Sequence, residues 1–229
     1  MAEIMLVHGA MHGAWCWDLL RPELERRGHR THAIDLPIER PETDLDFYAG
    51  CVAAELDRLA APAWLVGHSM GGRIIPKVAL QRPVAGLIFL CTMVPGLTEA
   101  DQAEMLAAVD LSRFADFLTE GGLQTITPQH AVSHFFAACP PELQRWAISR
   151  LRPQSAIALA SRPPLPRWPE VPMQAILTSD DAIIRAQPMA ALFRRRLGRE
   201  PMMLRGDHSP FLCCPRELAD AIDATIQQG

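Results

Sequence analysis

The stretch Ala63-Trp64-Leu65-Val66-Gly67-His68-Ser69-Met70-Gly71-Gly72 reads as the end of a strand, a sharp turn and the start of a helix. Ala63–Val66 is a short, wholly apolar run, the pattern of a strand covered on both faces. Met70–Arg82 has helical spacing. Between them, Gly67-His68-Ser69-Met70-Gly71 has the form G-x-S-x-G. A serine on such a turn holds its hydroxyl exposed on a strained backbone, and the flanking glycines let neighbouring chain approach without a Cβ clash. Chance would place this pattern in roughly 3 of 100 chains of this composition, before the strand and helix around it are required. Ser69 is therefore the candidate nucleophile.

The same alternation continues on both sides. Ile4–His8, Thr31–Leu36 and Ala85–Cys91 read as strands. Trp15–Arg27 and Phe47–Ala60 read as helices, the second with Phe47, Cys51, Val52, Leu56 and Leu59 on one stripe. After Pro95 the alternation stops. From about Gly96 to Ser161 the reading is helical without strands, with helices expected over Met105–Leu118, Pro128–Ala138 and Pro141–Leu151. Pro163, Pro164, Pro166, Pro169 and Pro172 then force an extended return. Strand Met173–Leu177, helix Pro188–Leu197, strand Met202–Leu204 and helix Pro215–Ile226 close the chain. This pattern predicts an α/β fold: a doubly wound sheet of about six mainly parallel strands, with residues 1–95 and 171–229 as core and 96–170 as an inserted helical cap. Active sites in such sheets lie beyond the carboxyl ends of the strands.

A serine hydroxyl needs a base. Of the eight histidines, His208 in Gly206-Asp207-His208-Ser209 stands where a late strand-end loop would deliver one. The base needs an acid to fix its tautomer. Asp180 and Asp181 both follow strand Met173–Leu177, and Asp180, nearer the strand end, is the preferred one. Asp207, adjacent to His208 in sequence, is expected to point elsewhere. The first loop, His8-Gly9-Ala10-Met11-His12-Gly13, is built of small residues that let backbone N–H groups approach a developing oxyanion. One donor is assigned to Ala10 and the other to Met70, which opens a helix.

Taken together, V-H-G-A-M-H-G-A-W-C-W (7–17), G-H-S-M-G-G (67–72), S-D-D-A-I (179–183) and G-D-H-S-P-F-L (206–212) resemble the methylesterase and hydroxynitrile-lyase branch of the α/β-hydrolase superfamily. The resemblance covers the core, about two thirds of the chain, and not the cap. It implies a D-x-x-I pattern at the acid, placed on Asp180 with Ile183. Cyanohydrin lyases of the branch carry threonine after the first-loop histidine and lysine after the catalytic histidine. Here Gly9 and Ser209 occupy those positions, which favours ester hydrolysis.

The remaining signals are weaker. Gly9, His12, Phe135, Phe136, Trp146, Ile183 and Ser209 are candidates for substrate contact. Phe135, Phe136 and Trp146 could equally hold the cap together. His68 reads as packing, Trp15 and Trp17 as core, and Arg194-Arg195-Arg196 as a solvated helix end. The pairs His8/His12 and His130/His134 have i,i+4 spacing, but the first sits on a loop and the second lacks a nearby carboxylate, so no metal is expected. No cofactor fingerprint appears. Pro76 is expected to kink the helix after Ser69. The net charge of −4 speaks against nucleic acid or an anionic membrane as partner. Six cysteines without C-x-x-C spacing, no signal peptide and no membrane-length apolar run suggest a cytoplasmic protein with reduced thiols. The expected ligand is a small-molecule ester; the oligomeric state stays open, with a homodimer among the options. Two rivals remain: a carbon–carbon lyase or hydrolase on this fold, and a non-catalytic small-molecule binder.

Overall fold

Six short runs, most of them apolar, become parallel strands, and the helices between them cover the sheet. In chain order the first half comprises β1 (Glu3–Val7), α1 (Leu20–Arg26), β2 (Arg30–Ile34), α2 (Leu45–Leu56), β3 (Trp64–His68), α3 (Met70–Ala79) and β4 (Gly86–Leu90). An insert follows: α4 (Glu99–Ala107), β5 (Phe117–Glu120), β6 (Leu123–Ile126), α5 (Pro128–Phe135), α6 (Pro141–Ile148), β7 (Gln154–Ser155) and α7 (Ala156–Ala160). The chain closes with β8 (Met173–Thr178), α8 (Ala186–Leu197), β9 (Met202–Leu204), α9 (Pro210–Cys213) and α10 (Pro215–Gln228). This computed structural model describes residues 1–161 and 163–229. Arg162, inside the expected cap, lies outside the described residues.

The main sheet has the order β2-β1-β3-β4-β8-β9, all neighbours parallel. From β1 the chain steps to β2 on one side, then turns back past β1 to β3 and β4. Right-handed crossovers therefore put α1 on one face and α2 and α3 on the other. The packing agrees: α1 lies against α10, and α2 against α3. The direction reverses between β1 and β3, so a crevice opens beyond their carboxyl ends. Register aligns those ends: Val7 pairs with Gly67, His68 with Leu90, and Thr178 with Leu204. β3 and β4 are buried along their whole length, as strands covered on both faces must be.

Three expectations need correction. The helix expected from Phe47 starts at Leu45, where the Asp44 side chain accepts from the Phe47 N–H at 2.8 Å. Its buried face is Leu45, Tyr48, Ala49, Val52, Ala53 and Leu56, while Phe47 faces solvent. The insert is not purely helical, because β5, β6 and β7 form a three-stranded antiparallel sheet. The helix expected over Met105–Leu118 ends at Ala107; a 3-10 turn over Leu111–Asp116 and then β5 take its place. Gly121 and Gly122 at positive φ make the tight β5–β6 turn that a helical reading missed.

Candidate active site

β3 ends at His68, and Ser69 turns the chain into α3 with φ 50° and ψ −115°. That conformation costs a non-glycine residue about 1–3 kcal/mol and persists only where its surroundings impose it. Here the Ser69 N–H donates to the Leu90 carbonyl at 3.0 Å, and the Thr92 hydroxyl donates to the Ser69 carbonyl. The motif's glycines are required by contact. A Cβ on Gly67 would stand 2.6 Å from the Gly71 oxygen, and one on Gly71 would stand 2.4 Å from the Val7 oxygen. α3 thus sits directly on the strand ends, and it runs on through Pro76 to Ala79.

His208 is buried, and its Nδ1 donates to Asp181 Oδ2 at 2.8 Å. The acid beside the base is therefore Asp181, not Asp180. The offset follows from where β8 leaves its neighbour. β8 ends at Thr178; Ser179 N–H donates to the Leu204 carbonyl and Asp180 N–H to that of Gly206, so this turn stays bonded to the end of β9 and the chain beyond it. The exposed Asp180 side chain accepts from the Ser179 hydroxyl. Asp181 follows the turn. Its Oδ1 accepts from the N–H groups of Ile183 and Ile184 at 2.8 and 2.9 Å, which aims Oδ2 at His208. The D-x-x-I spacing fits twice, from Asp180 to Ile183 and from Asp181 to Ile184, so it could not separate the two.

Asp207 points away from the base, as expected. Its carboxylate accepts from the N–H of Ala138, in the insert, at 2.8 Å and from that of Ser209 at 2.9 Å, so it ties the two segments together. Burial raises its pKa, and those N–H donors oppose the rise.

The first loop is held by its histidines. The His8 ring accepts from the Leu36 N–H at 3.0 Å and donates to the Gly9 carbonyl at 2.8 Å. His12 Nδ1 donates to the Ala10 carbonyl at 2.7 Å. Burial lowers their pKa values to about 4 and about 3. Met11 takes a left-handed conformation at φ 61°. Arg152, from the insert, braces this loop. Its backbone N–H donates to the Met11 carbonyl at 2.8 Å, and its guanidinium donates to the His12 carbonyl at 3.0 and 3.2 Å.

A cavity opening to solvent gathers these parts. Ser69, His208, Ala10 and Met70 all line it, as do His12, Phe135 and Ile183 among the expected contacts. Gly9, Phe136, Trp146 and Ser209 do not. Gly9 instead packs its bare Cα against the His68 ring and Ser69, where a Cβ would stand 2.7 Å from His68 Nδ1 and 3.0 Å from Ser69 Cβ. Phe136 lies behind the wall, edge-on to His12 and Phe135. Trp146 packs against Trp15, with the Arg150 guanidinium over its ring. Ser209 turns its N–H to Asp207.

Sequence reasoning missed several lining residues. His68 does more than pack, because its Nε2 donates to the His208 carbonyl at 2.8 Å and so joins the serine turn to the histidine loop. Arg73 brings a guanidinium to the wall, and its place four residues after Ser69 on α3 was a readable signal. Phe114 and Phe117 had none, since both fell inside the helix expected over Met105–Leu118.

Among the described residues, no group of three His, Cys, Asp or Glu stands where it could hold a metal, and no helix is long and apolar enough to cross a membrane.

The alpha/beta hydrolase family matches residues 4–221. A pyrethroid hydrolase of Sphingobium wenxiniae is 30% identical over 255 aligned positions, covering 97% of this chain and 86% of its own length. Methylesterase 18 of Arabidopsis thaliana is 26% identical over 249 positions, 94% of each chain. The crystal structure of polyneuridine aldehyde esterase superposes with a TM-score of 0.82 over 97% of this chain and 98% of its own, and at 22% identity it speaks to the fold. The chain belongs to the alpha/beta hydrolase family. Within that family it is an enzyme of the carboxylic ester hydrolase class.

Proposed function

We propose that the chain cleaves a small or medium, largely apolar carboxylic ester by two-step acyl transfer through Ser69, His208 and Asp181. Ser69 Oγ attacks the ester carbonyl while His208 Nε2 takes its proton. The C–O bond to the alcohol breaks as His208 returns that proton to the leaving oxygen. Water, activated by the same imidazole, then releases the acid and regenerates Ser69. The N–H groups of Ala10 and Met70 receive the oxyanion, and the start of α3 adds its favourable dipole. Residues 1–95 and 171–229 act as the core, and 96–170 as the cap that shapes the acyl and alcohol sites.

The observation that carries this reading is the His208–Asp181 bond at 2.8 Å, with the ring in the same cavity wall as a strained Ser69. An imidazole oriented by a buried carboxylate, lining the same cavity as a half-buried serine on a strained turn, supplies the groups acyl transfer requires. The largely apolar lining, with Phe114, Phe117 and Phe135 in the wall, suits an apolar ester.

The test is hydrolysis of a chain-length series of esters, with fluorophosphonate labelling, on wild type and Ser69→Ala. Wild type labels and turns over, and Ser69→Ala loses labelling and at least about 10³-fold in kcat/KM. A wild-type protein that stays unlabelled and inactive would instead favour a binder.

A further inference from the structure

Two segments of the insert give the cavity its aromatic wall, and they are anchored unequally. α5 is pinned: Ala131, His134 and Phe135 are buried on it, and the Phe135 ring stands 5.9 Å from that of His208. The turn over Leu111–Asp116 carries Phe114 into the wall, and Phe117 follows directly after it, their rings 5.3 Å apart. Yet none of residues 111–116 is buried, and Leu118 and Thr119 beyond them are exposed. Backbone holds the two ends: the Asp110 N–H donates to the Ile183 carbonyl at 2.8 Å, and β5 pairs with β6.

Between those ends His134 reaches across from α5. Its Nε2 lies 3.2 Å from the Arg113 carbonyl oxygen, which only accepts, so Nε2 carries the proton and donates. Asp116 Oδ2 stands 3.0 Å from the same nitrogen, and Oδ1 stands 3.7 Å from His130 Nε2. His134 Nδ1 meets the Ser133 hydroxyl at 2.9 Å. The carboxylate that His130 and His134 lack near them in sequence thus arrives from the preceding turn, as a charge partner and not as part of a metal-holding group. Burial holds the His134 pKa below its ordinary value; its bond to the Arg113 carbonyl and the Asp116 charge oppose that fall, and the charges of Arg113 and His130 add to it.

The His134 side chain has no exposure, while Asp116 is 33% exposed. The ring is therefore fixed before the contact forms, and the turn is what the contact immobilises. An exposed pair spends much of its attraction on ordering two side chains; here one is already ordered.

We infer that His134 is a positioning residue: by holding the Arg113 carbonyl and the Asp116 carboxylate it fixes Phe114 and Phe117 relative to Phe135, and so sets how long a chain the ester can carry. This rests on the esterase reading above and deepens it, since length selectivity is then set by a ring that need not touch the substrate.

Methyl butanoate and methyl octanoate, followed by methanol release at pH 8, test the inference. The ratio of their kcat/KM values is read, because any change at Ser69, His208 or Asp181 acts on both esters alike and cancels. His134→Leu fills similar space without a donor. It should shift the ratio by about five- to tenfold, chiefly through KM, with the thermal midpoint within about 5 °C of wild type. His134→Gln keeps a donor near the place of Nε2 and should hold the ratio within about twofold of wild type. Asp116→Ala should shift it in the same direction as His134→Leu, by about two- to threefold. A His134→Leu ratio equal to that of wild type overturns the inference. So does a His134→Gln ratio that moves as far as that of His134→Leu, which would make the ring mere filling, or a His134→Leu loss that falls on kcat for both esters equally.

If wild type hydrolyses neither ester, the esterase reading fails on its own account. The ratio of the two dissociation constants, measured on Ser69→Ala with and without His134→Leu, then reads the wall without turnover. Equal ratios in those two proteins would overturn the positioning role.

Discussion

The loops at the carboxyl edge of the sheet and the insert between β4 and β8 build the same cavity by different rules. Each edge loop is anchored to the strand before it and cross-linked to the next loop. Ser69 is bonded to Leu90, His68 to the His208 carbonyl, and Asp181 to both His208 and its own turn. The insert supplies surfaces: Phe114, Phe117, Phe135 and Leu159 line the cavity. Two of its ties to the core are the guanidinium of Arg152 and the N–H of Ala138. Where a side chain must be placed to within a fraction of an ångström, the fold uses strand ends; where only volume and polarity matter, a looser insert suffices.

The sharpest way to break that contrast is a one-residue comparison at the edge. Asp181→Asn leaves Nδ1 of His208 facing an amide that can donate, which disfavours the productive tautomer. It should lower kcat/KM by about 10³–10⁴. Asp180→Asn, on an exposed side chain, should change it less than about twofold. Ester kinetics on the two variants decide, and the reverse ranking would refute the geometry.

Acid should next separate core from insert. The folded pKa values of His8 and His12 lie near 4 and 3, below the ordinary 6.5, so the folded state favours their neutral forms. Their contribution is complete above about pH 6.5 and is lost as the pH falls through the window down to those values. At pH 4 the loss should be on the order of 3 kcal/mol for each. Urea unfolding at pH 7 and pH 4 measures it, and His8→Asn should flatten the dependence. An equal midpoint at both values would show these rings already charged in the fold.

A smaller effect is expected where the insert grips the core. Arg152→Met keeps the aliphatic stem but removes the donors to the His12 and Leu36 carbonyls. Its carboxylate partners Asp35 and Glu39 are exposed and tolerate the loss. kcat/KM should fall about 10- to 100-fold, because the loop carrying the Ala10 N–H loosens. Unchanged kinetics would mean the loop keeps its place without the insert.

Smallest are changes within the insert. Phe114→Ala, which removes part of the wall, should shift preference among ester chain lengths by about tenfold. Trp146→Phe, behind the wall against Trp15, should leave that preference within about twofold. A larger shift from Trp146→Phe would place that ring in the site after all.

Much of the core was legible because its signals are local. A short apolar run set between turn signals and amphipathic helices reads as a buried strand, and the glycines around Ser69 announce a turn too tight for any Cβ. Phe47 was misread because an isolated stripe can be drawn in more than one phase; only the face that meets α3 selects Leu45, Tyr48 and Val52. β5 and β6 were missed because they are half-exposed or exposed and apolar only in part, so they show neither a continuous run nor clean alternation, and β7 is only two polar residues long. The cavity wall was half legible. Residues next to a motif could be guessed, whereas Phe114 and Leu159 reach the cavity through long-range packing.

Residue order along the chain determined the sheet and the glycine-flanked turn at Ser69, since each is written in a handful of neighbouring positions whose sterics leave one outcome. Folding in three dimensions decided between Asp180 and Asp181 and excluded Gly9 and Trp146 from the wall. Those outcomes turn on where one strand parts from the next and which group a ring meets, and such contacts join positions up to about 140 residues apart.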